Sequence, residues 1–171
     1  GTTFRGELGQ FFTPRTIVDF MTEILDHQEG EVICDPTCGS GGFLIKAFEY
    51  VREKIEADIR SKKDSLRLSI EGNDYDALPE DKQVKISHSI DKMQAALNTE
   101  LDTGIEGSRM YQLSRNCIYG TDANPRMART SKMNMIMHGD GHGGVHHHDG
   151  LLNINGIFEE RFDVILTNPP F

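Results

Sequence analysis

A short apolar run that ends in an aspartate and a glycine turn constrains this chain more than any other feature. Val32, Ile33 and Cys34 read as a strand, Asp35-Pro36 ends it, and Cys38-Gly39-Ser40-Gly41-Gly42 turns the chain. Phe43, Leu44, Ala47, Phe48 and Val51 then recur at helical spacing. Strand, glycine turn and helix in that order open a nucleotide-type βα unit. The pattern returns. Cys117-Ile118-Tyr119-Gly120 ends at Thr121-Asp122, and Asn124-Pro125 opens a helix. Val145 to Asp149 reads as a further segment, and Phe162 to Thr167 runs into Asn168-Pro169-Pro170-Phe171. Alternating strands and helices predict an α/β chain with an open, mostly parallel sheet of about four strands. In such sheets ligands bind beyond the carboxyl ends of the strands, where these motifs lie.

The rest of the chain supports this frame. Residues 1–13 read as loop. Thr13 is expected to cap a helix that starts at Pro14, with Ile17, Val18, Met21, Ile24 and Leu25 as its buried face and Gly30 closing the unit. Met127, Ala128, Met133, Met135, Ile136 and Met137 form a stripe expected to lie in the core, since Met fills irregular gaps. Residues 52–116 read as a partly helical insertion, helical around 52–63 and 88–101. Turns at Gly72-Asn73-Asp74 and Leu78-Pro79 suggest a mobile loop near 70–85.

Composition narrows the function classes. A length of 171 residues fits one domain, and 37% hydrophobic residues argue against disorder. No apolar run approaches the roughly 18 residues of a membrane helix, and no leader is evident. Three cysteines, Cys34, Cys38 and Cys117, make no disulfide framework and suggest a reducing cytoplasm. Cys34 and Cys38 lack the second pair a zinc site needs. Alternation along a strand would turn His147 away from His146 and His148, so that run reads as a packed or solvated segment and no metal is expected. A net charge of −9 means this domain is not a strong DNA binder by itself, because phosphate neutralisation supplies most nonspecific affinity.

The motifs suggest chemistry. Gly39, Gly41 and Gly42 let backbone approach a ligand, Asp35 offers a carboxylate, and the following helix N-terminus favours an anionic group. Asp122 at the end of the second strand can accept hydrogen bonds from ribose hydroxyls. Together they describe a nucleoside-containing cofactor, nicotinamide or S-adenosylmethionine. Asn168-Pro169-Pro170-Phe171 favours the second. An amino group conjugated to a purine is a poor nucleophile. Two acceptors aimed at its hydrogens, the Asn168 side-chain oxygen and the Pro169 carbonyl, would return electron density to it. Prolines stiffen that turn, and Phe171 can stack on the base.

Gln10-Phe11-Phe12-Thr13-Pro14-Arg15, Asp35-Pro36-Thr37-Cys38-Gly39-Ser40-Gly41-Gly42-Phe43 and Asn168-Pro169-Pro170-Phe171 resemble motifs X, I and IV of amino-DNA methyltransferases. Their order resembles the gamma group, and the run at 133–139 is similar to the modification subunit of type I restriction-modification systems. The resemblance covers residues 9–50 and 117–171. It implies the N-terminal part of a Rossmann-like, class I methyltransferase catalytic domain over residues 1–171, with 52–116 inserted. Four of the usual seven strands would be present, with an exposed sheet edge where a fifth belongs. It implies a site-specific, adenine-specific DNA methyltransferase that moves methyl from S-adenosylmethionine to adenine N6, although the isolated piece is expected to be inactive. Phe12, Thr13, Asp35, Thr37, Gly39, Gly41, Asp122, Ala123 and Asp149 would bind the cofactor: Thr13 at the methionine part, Asp35, Gly39 and Gly41 at its amino-acid end, Asp122 at the ribose, Asp149 near the adenine ring. Asn168, Pro169, Pro170 and Phe171 would serve catalysis on a flipped adenine. The implied partners are DNA and the specificity and restriction subunits, with no membrane. A protein glutamine methyltransferase is the alternative enzyme, but it predicts Tyr where Phe171 stands and no Phe-Phe-Thr-Pro upstream. A noncatalytic cofactor-binding module is the other alternative.

Overall fold

A computed structural model of the chain describes residues 12–71, 74–141, 144–152 and 161–170. Four strands, β1 (Ile33–Asp35), β2 (Ile118–Asp122), β3 (Val145–His147) and β4 (Val164–Ile165), form one parallel sheet in the order β3-β2-β1-β4. Asp35 lies beside Gly120, Asp122 beside His147, and Cys34 beside Ile165. The expected four-stranded parallel sheet is therefore present. Strand order reverses at β1: β2 and β3 extend to one side and β4 to the other. Such a reversal opens a crevice at the carboxyl ends of the central strands. β4 is shorter than the run 162–167 suggests, but its ladder continues as Leu166 N–H donates to the Cys34 carbonyl at 3.1 Å. Among the described residues no strand pairs with the other edge of β4, and Ile165 is exposed there.

The helix α1 (Arg15–Leu25) begins one residue later than expected. Pro14, with ψ near 140°, is its N-cap, and the Pro14 carbonyl accepts from the Ile17 and Val18 N–H groups. Thr13 is outside the cap, so its hydroxyl is not used there. The buried face is also narrower than the apolar spacing implies: Val18 and Thr22 are buried and Met21 is half-buried, while Ile17, Ile24 and Leu25 are exposed. Periodicity marks which residues could be buried; only the neighbouring elements decide which are.

The helix α2 (Gly42–Glu71) carries the core. Leu44, Phe48, Val51, Ile55 and Ile59 recur at steps of three and four and are all buried, joined by Ala47. They pack with Ile33, Ile118, Met110 and Leu113. The helix passes residue 52 without a break, so the insertion starts inside it. The helix α3 (Glu80–Thr99) covers most of the stretch expected to be helical around 88–101, starts eight residues earlier, inside the loop expected near 70–85, and buries no residue. Its helix-forming Lys, Gln and Glu side chains, with no wide apolar stripe, leave little periodic signal to find. Beyond α4 (Arg109–Gln112), a single π-type turn at Leu113–Cys117 feeds β2. Arg109 ties this corner to the rest by pairing with Glu29 at 2.5 Å and with Asp58 of α2.

The helix α5 (Pro125–Met137) starts as its sequence predicts, with Asn124 as N-cap accepting from Arg126 N–H at 2.9 Å and Pro125 in the first turn. Its apolar stripe is core only in part: Ala128 and Met135 are buried in the core cluster, but Met133 is 58% and Met137 75% exposed. The contact face is Ala128, Ser131 and Met135, where small residues let the helix approach the glycine turn. All three cysteines are free and buried. Burial pushes the Cys34 and Cys38 thiols up to about 12, which leaves them unreactive.

Candidate active site

Asp35 ends β1 as a buried carboxyl, 2% exposed. Its Oδ1 accepts the Thr37 N–H at 3.0 Å. Burial pushes it up to about 6; hydrogen bonds from Thr167 and Thr37 pull the other way, and the neighbouring Asp122 charge adds to the rise. A buried acid held this high is strained as an anion and would be relieved by a cationic group. An ammonium is such a group.

Asp122, at the end of β2, is the fastener of the glycine turn. Its Oδ2 accepts Gly39 N–H at 2.9 Å and its Oδ1 accepts Asn124 N–H at 2.7 Å. Each oxygen retains a second lone pair, so hydroxyl donors can still be bound. Cys38 N–H donates to the Thr121 carbonyl at 2.8 Å, which holds the turn against the strand beside it. Gly41 has φ +89°, and a Cβ there would sit 2.5 Å from Ser131 Oγ, so α5 can approach only because this residue is glycine. The space beside Gly39 is open. Two strand-end carboxylates and the open space beside Gly39 fit a nucleoside cofactor that carries a cationic end.

Beyond β3, Asp149 is half-buried and its Oδ1 accepts Leu151 N–H at 3.1 Å. Gly150 lies against the first turn: a Cβ there would overlap Thr121 Oγ1 and the Pro36 carbonyl oxygen. His147 Nε2–H donates to the Ala123 carbonyl at 3.1 Å, and His148 N–H to the Asp122 carbonyl. Among the described residues no group of three or more His, Cys, Asp or Glu could hold a metal ion.

The exit from β4 is tied at three consecutive residues to three other elements. Leu166 is buried with Val18 of α1 and Phe43 of α2. The hydroxyls of Thr167 and Thr37 are hydrogen-bonded at 2.7 Å. Asn168 Nδ2 donates to Thr13 Oγ1 at 3.1 Å, across 155 residues of sequence. Motifs from both ends of the chain thus meet at the switch point.

Of the residues expected at the site, Thr13, Asp35, Thr37, Gly39, Asp122 and Asn168 are joined by these contacts. Phe12 is 68% exposed, and Pro170 is exposed at the chain's surface. Pro169 is half-buried. Phe171, together with Gln10 and Phe11, lies outside the described residues. Thr167, Thr121 and Gly150 were not singled out by sequence. Thr167 carried a usable signal, since a hydroxyl directly before Asn168 in an apolar strand faces the strand ends.

The Escherichia coli type I restriction enzyme EcoEI methylase subunit is 28% identical over 167 residues, covering 97% of this chain and 24% of that subunit. The crystal structure of the type I restriction enzyme EcoKI M protein, from the same species, superposes with a TM-score of 0.56 at 24% identity, over 95% of this chain and 25% of that one. A chain from a structure concerned with complex assembly in the type I R-M system matches with a TM-score of 0.57 at 26% identity, over 93% of this chain and 23% of that one. This chain therefore spans about a quarter of the length of the relatives it matches. The family model described as N-6 DNA Methylase matches residues 2–83 and 101–171, and by that match the chain belongs to the N-6 DNA methylase family.

Proposed function

We propose that the chain is the N-terminal part of the catalytic domain of an adenine-specific DNA methyltransferase in a type I restriction-modification system. The observation that carries this reading is the meeting of two strand-end motifs with the segment that precedes α1, joined through Thr37 to Thr167 and Thr13 to Asn168. S-adenosylmethionine is the cofactor, and it supplies an electrophilic methyl group. Asp35 takes its amino-acid end together with Gly39 and Gly41, Asp122 and Ala123 take the ribose, and Asp149 flanks the adenine. Phe12, Thr13 and Thr37 line the methionine part. Asn168 Oδ1 and the Pro169 carbonyl accept from the target amino group, Pro170 stiffens the turn, and Phe171 stacks on the base. A positioned pair of acceptors lowers the barrier by orientation and electrostatics.

Residues 52–116 form an insertion in this domain that lies apart from the chemistry. With a net charge of −9, the chain leaves DNA phosphate binding to basic surface elsewhere, in the rest of the methylase or a specificity subunit. A restriction subunit completes the system, in the cytoplasm. No helix among the described residues is long and apolar enough to cross a membrane.

The test is transfer of labelled methyl from S-adenosylmethionine to DNA by the complete methylase with its specificity subunit. Label on adenine N6 is expected. Label that reaches a protein glutamine and never DNA would overturn the reading.

A further inference from the structure

We infer that Asn134 of α5 is a positioning residue that locks the glycine turn into the form that receives the cofactor's amino-acid end. The inference rests on the reading of Asp35, Gly39 and Gly41 as the site of that end. Ser40 stands between two glycines with positive φ, Gly39 at +54° and Gly41 at +89°. Glycine visits both signs of φ with little penalty, so a turn built this way does not hold one shape by itself. Asp122 and the Thr121 carbonyl restrain it, but they act on the Gly39 and Cys38 N–H groups, ahead of Ser40. Inside the turn, Gly41 N–H donates to the Cys38 carbonyl at 2.7 Å. The Ser40 carbonyl belongs to the same peptide unit, and it is held from outside the turn.

Asn134 Nδ2 donates to that carbonyl oxygen at 2.9 Å. A carbonyl only accepts, so the contact requires an N–H donor and admits one orientation of the amide. The peptide unit between Ser40 and Gly41 is then bound at both ends, its N–H within the turn and its oxygen on α5. Ser131 lies three residues before Asn134, on the same helix face. It is wholly buried, and its Oγ stands 2.5 Å from where a Cβ on Gly41 would sit. The turn is thus pressed against α5 at Gly41 and bonded to it at Ser40. The helix itself is seated by other residues. Ala128 and Met135 lie in the core cluster, and the His138 carbonyl accepts from Arg52 Nη1 of α2 at 2.8 Å. Loss of the Asn134 amide therefore leaves α5 in place and frees the turn. A turn that the cofactor must first order binds it more weakly, because only the ordered fraction is competent.

The experiment uses the complete methylase with its specificity subunit. It compares wild type with Asn134→Ala, with the isosteric Asn134→Asp, and with Met133→Ala on the exposed side of the same helix. Calorimetry at about pH 8, where the introduced carboxylate is ionised, gives Kd for two probes. One is S-adenosylmethionine. The other is methylthioadenosine, which keeps the nucleoside and the thioether and lacks the amino-acid end. Both Asn134 variants are expected to raise Kd for S-adenosylmethionine about ten-fold. Kd for methylthioadenosine should stay within about two-fold of wild type, as should kcat for methyl transfer at saturating cofactor. Met133→Ala should match wild type throughout. An unchanged cofactor Kd in Asn134→Asp would overturn the proposal, since that variant keeps the volume and loses the donor; it also decides the matter if the alanine variant does not fold. Equal weakening of both probes would overturn it in favour of a general loosening of the fold. If wild type itself binds no S-adenosylmethionine, the reading of the glycine turn fails first and takes the proposal with it.

Discussion

The strand-end edge and the outer part of the α2–α3 hairpin are built on opposite terms. At the edge, side chains from residues 13, 37, 122, 167 and 168 are bound to partners from distant parts of the sequence. In the hairpin beyond Ile59 nothing described is buried, and the polar contacts stay within the hairpin, such as Lys62 to Asp58 at 2.8 Å one helical turn away and Lys63 to Asn98 across the two helices. A cleft of about 460 Å³ opens between its helices beside Leu66, Ile70, Leu78, Ile86 and Met93. Few buried contacts and many local ones mark the parts of a protein that open most easily. The edge stores polar strain in a rigid frame, whereas the hairpin stores almost nothing. A substitution should therefore report its address by the size and kind of its effect.

The largest expected effect is at Asn168. Asn168→Ala should lower methyl transfer on the order of 10²- to 10³-fold while cofactor binding persists. Parallel transfer assays and calorimetry on the complete methylase check this, and a joint loss of both would place Asn168 in the cofactor site instead.

Asp35→Asn should split stability from function. The carboxyl is raised from 3.8 to about 6 by burial. A raised carboxyl means that the folded state binds protons more tightly, so no cost exists below pH 4. The cost develops as pH rises towards 6 and stands in full above it, on the order of 3 kcal/mol. At pH 7 to 8 the Asn variant should melt higher than wild type, and the difference should vanish near pH 4. His27, held neutral by burial against the Ala47 carbonyl at 2.9 Å, titrates equally in both proteins and cancels from the difference. The same variant should bind S-adenosylmethionine more weakly. A lower melting temperature at pH 8 would show that the charge is satisfied, and the contrast with the hairpin would lose its main term.

Gly41→Ala and Gly150→Ala test the frame. Gly41 holds φ +89° against Ser131, and Gly150 abuts the Pro36 carbonyl. Each alanine should cost about 1–3 kcal/mol in chemical denaturation. The smallest effects belong to the hairpin: Val84→Lys and Leu68→Lys, at side chains 63% and 65% exposed, should change stability by no more than about 0.5 kcal/mol. A loss of several kcal/mol at either would show that the hairpin is part of the cooperative core.

Much of the edge was legible in sequence because its residues sit at junctions with strong local signatures. Asp35 follows an apolar run and precedes glycines; Asn124-Pro125 announces a helix start; Asn168-Pro169-Pro170 ends a strand. Those signals depend on a few neighbouring residues and survive without knowledge of the fold. The misses share one cause. Ile24 and Leu25 of α1, and Met133 and Met137 of α5, have the right spacing for burial and are exposed, because no described element lies over them. The end of α2 and the start of α3 lie in the span expected to be a loop, because their narrow, half-buried stripe, such as Ile86 and Ile90, is a weak local signal. The local pattern places Thr13 at the cap of α1, and a one-residue shift in the helix start gives its hydroxyl to Asn168.

By itself the sequence determined the alternation of strands and helices, the glycine turn and the chemical types at each strand end, since these follow from local backbone preference and periodicity. Only the tertiary structure decided which of those groups meet. Parallel pairing in the order β3-β2-β1-β4 brings the two ends of the chain together at one crevice. Contacts such as Thr13 to Asn168, or the burial that lifts Asp35 to about 6, depend on distances between elements. No local pattern encodes those distances, because they are set by how side chains of separate elements fill the space between them.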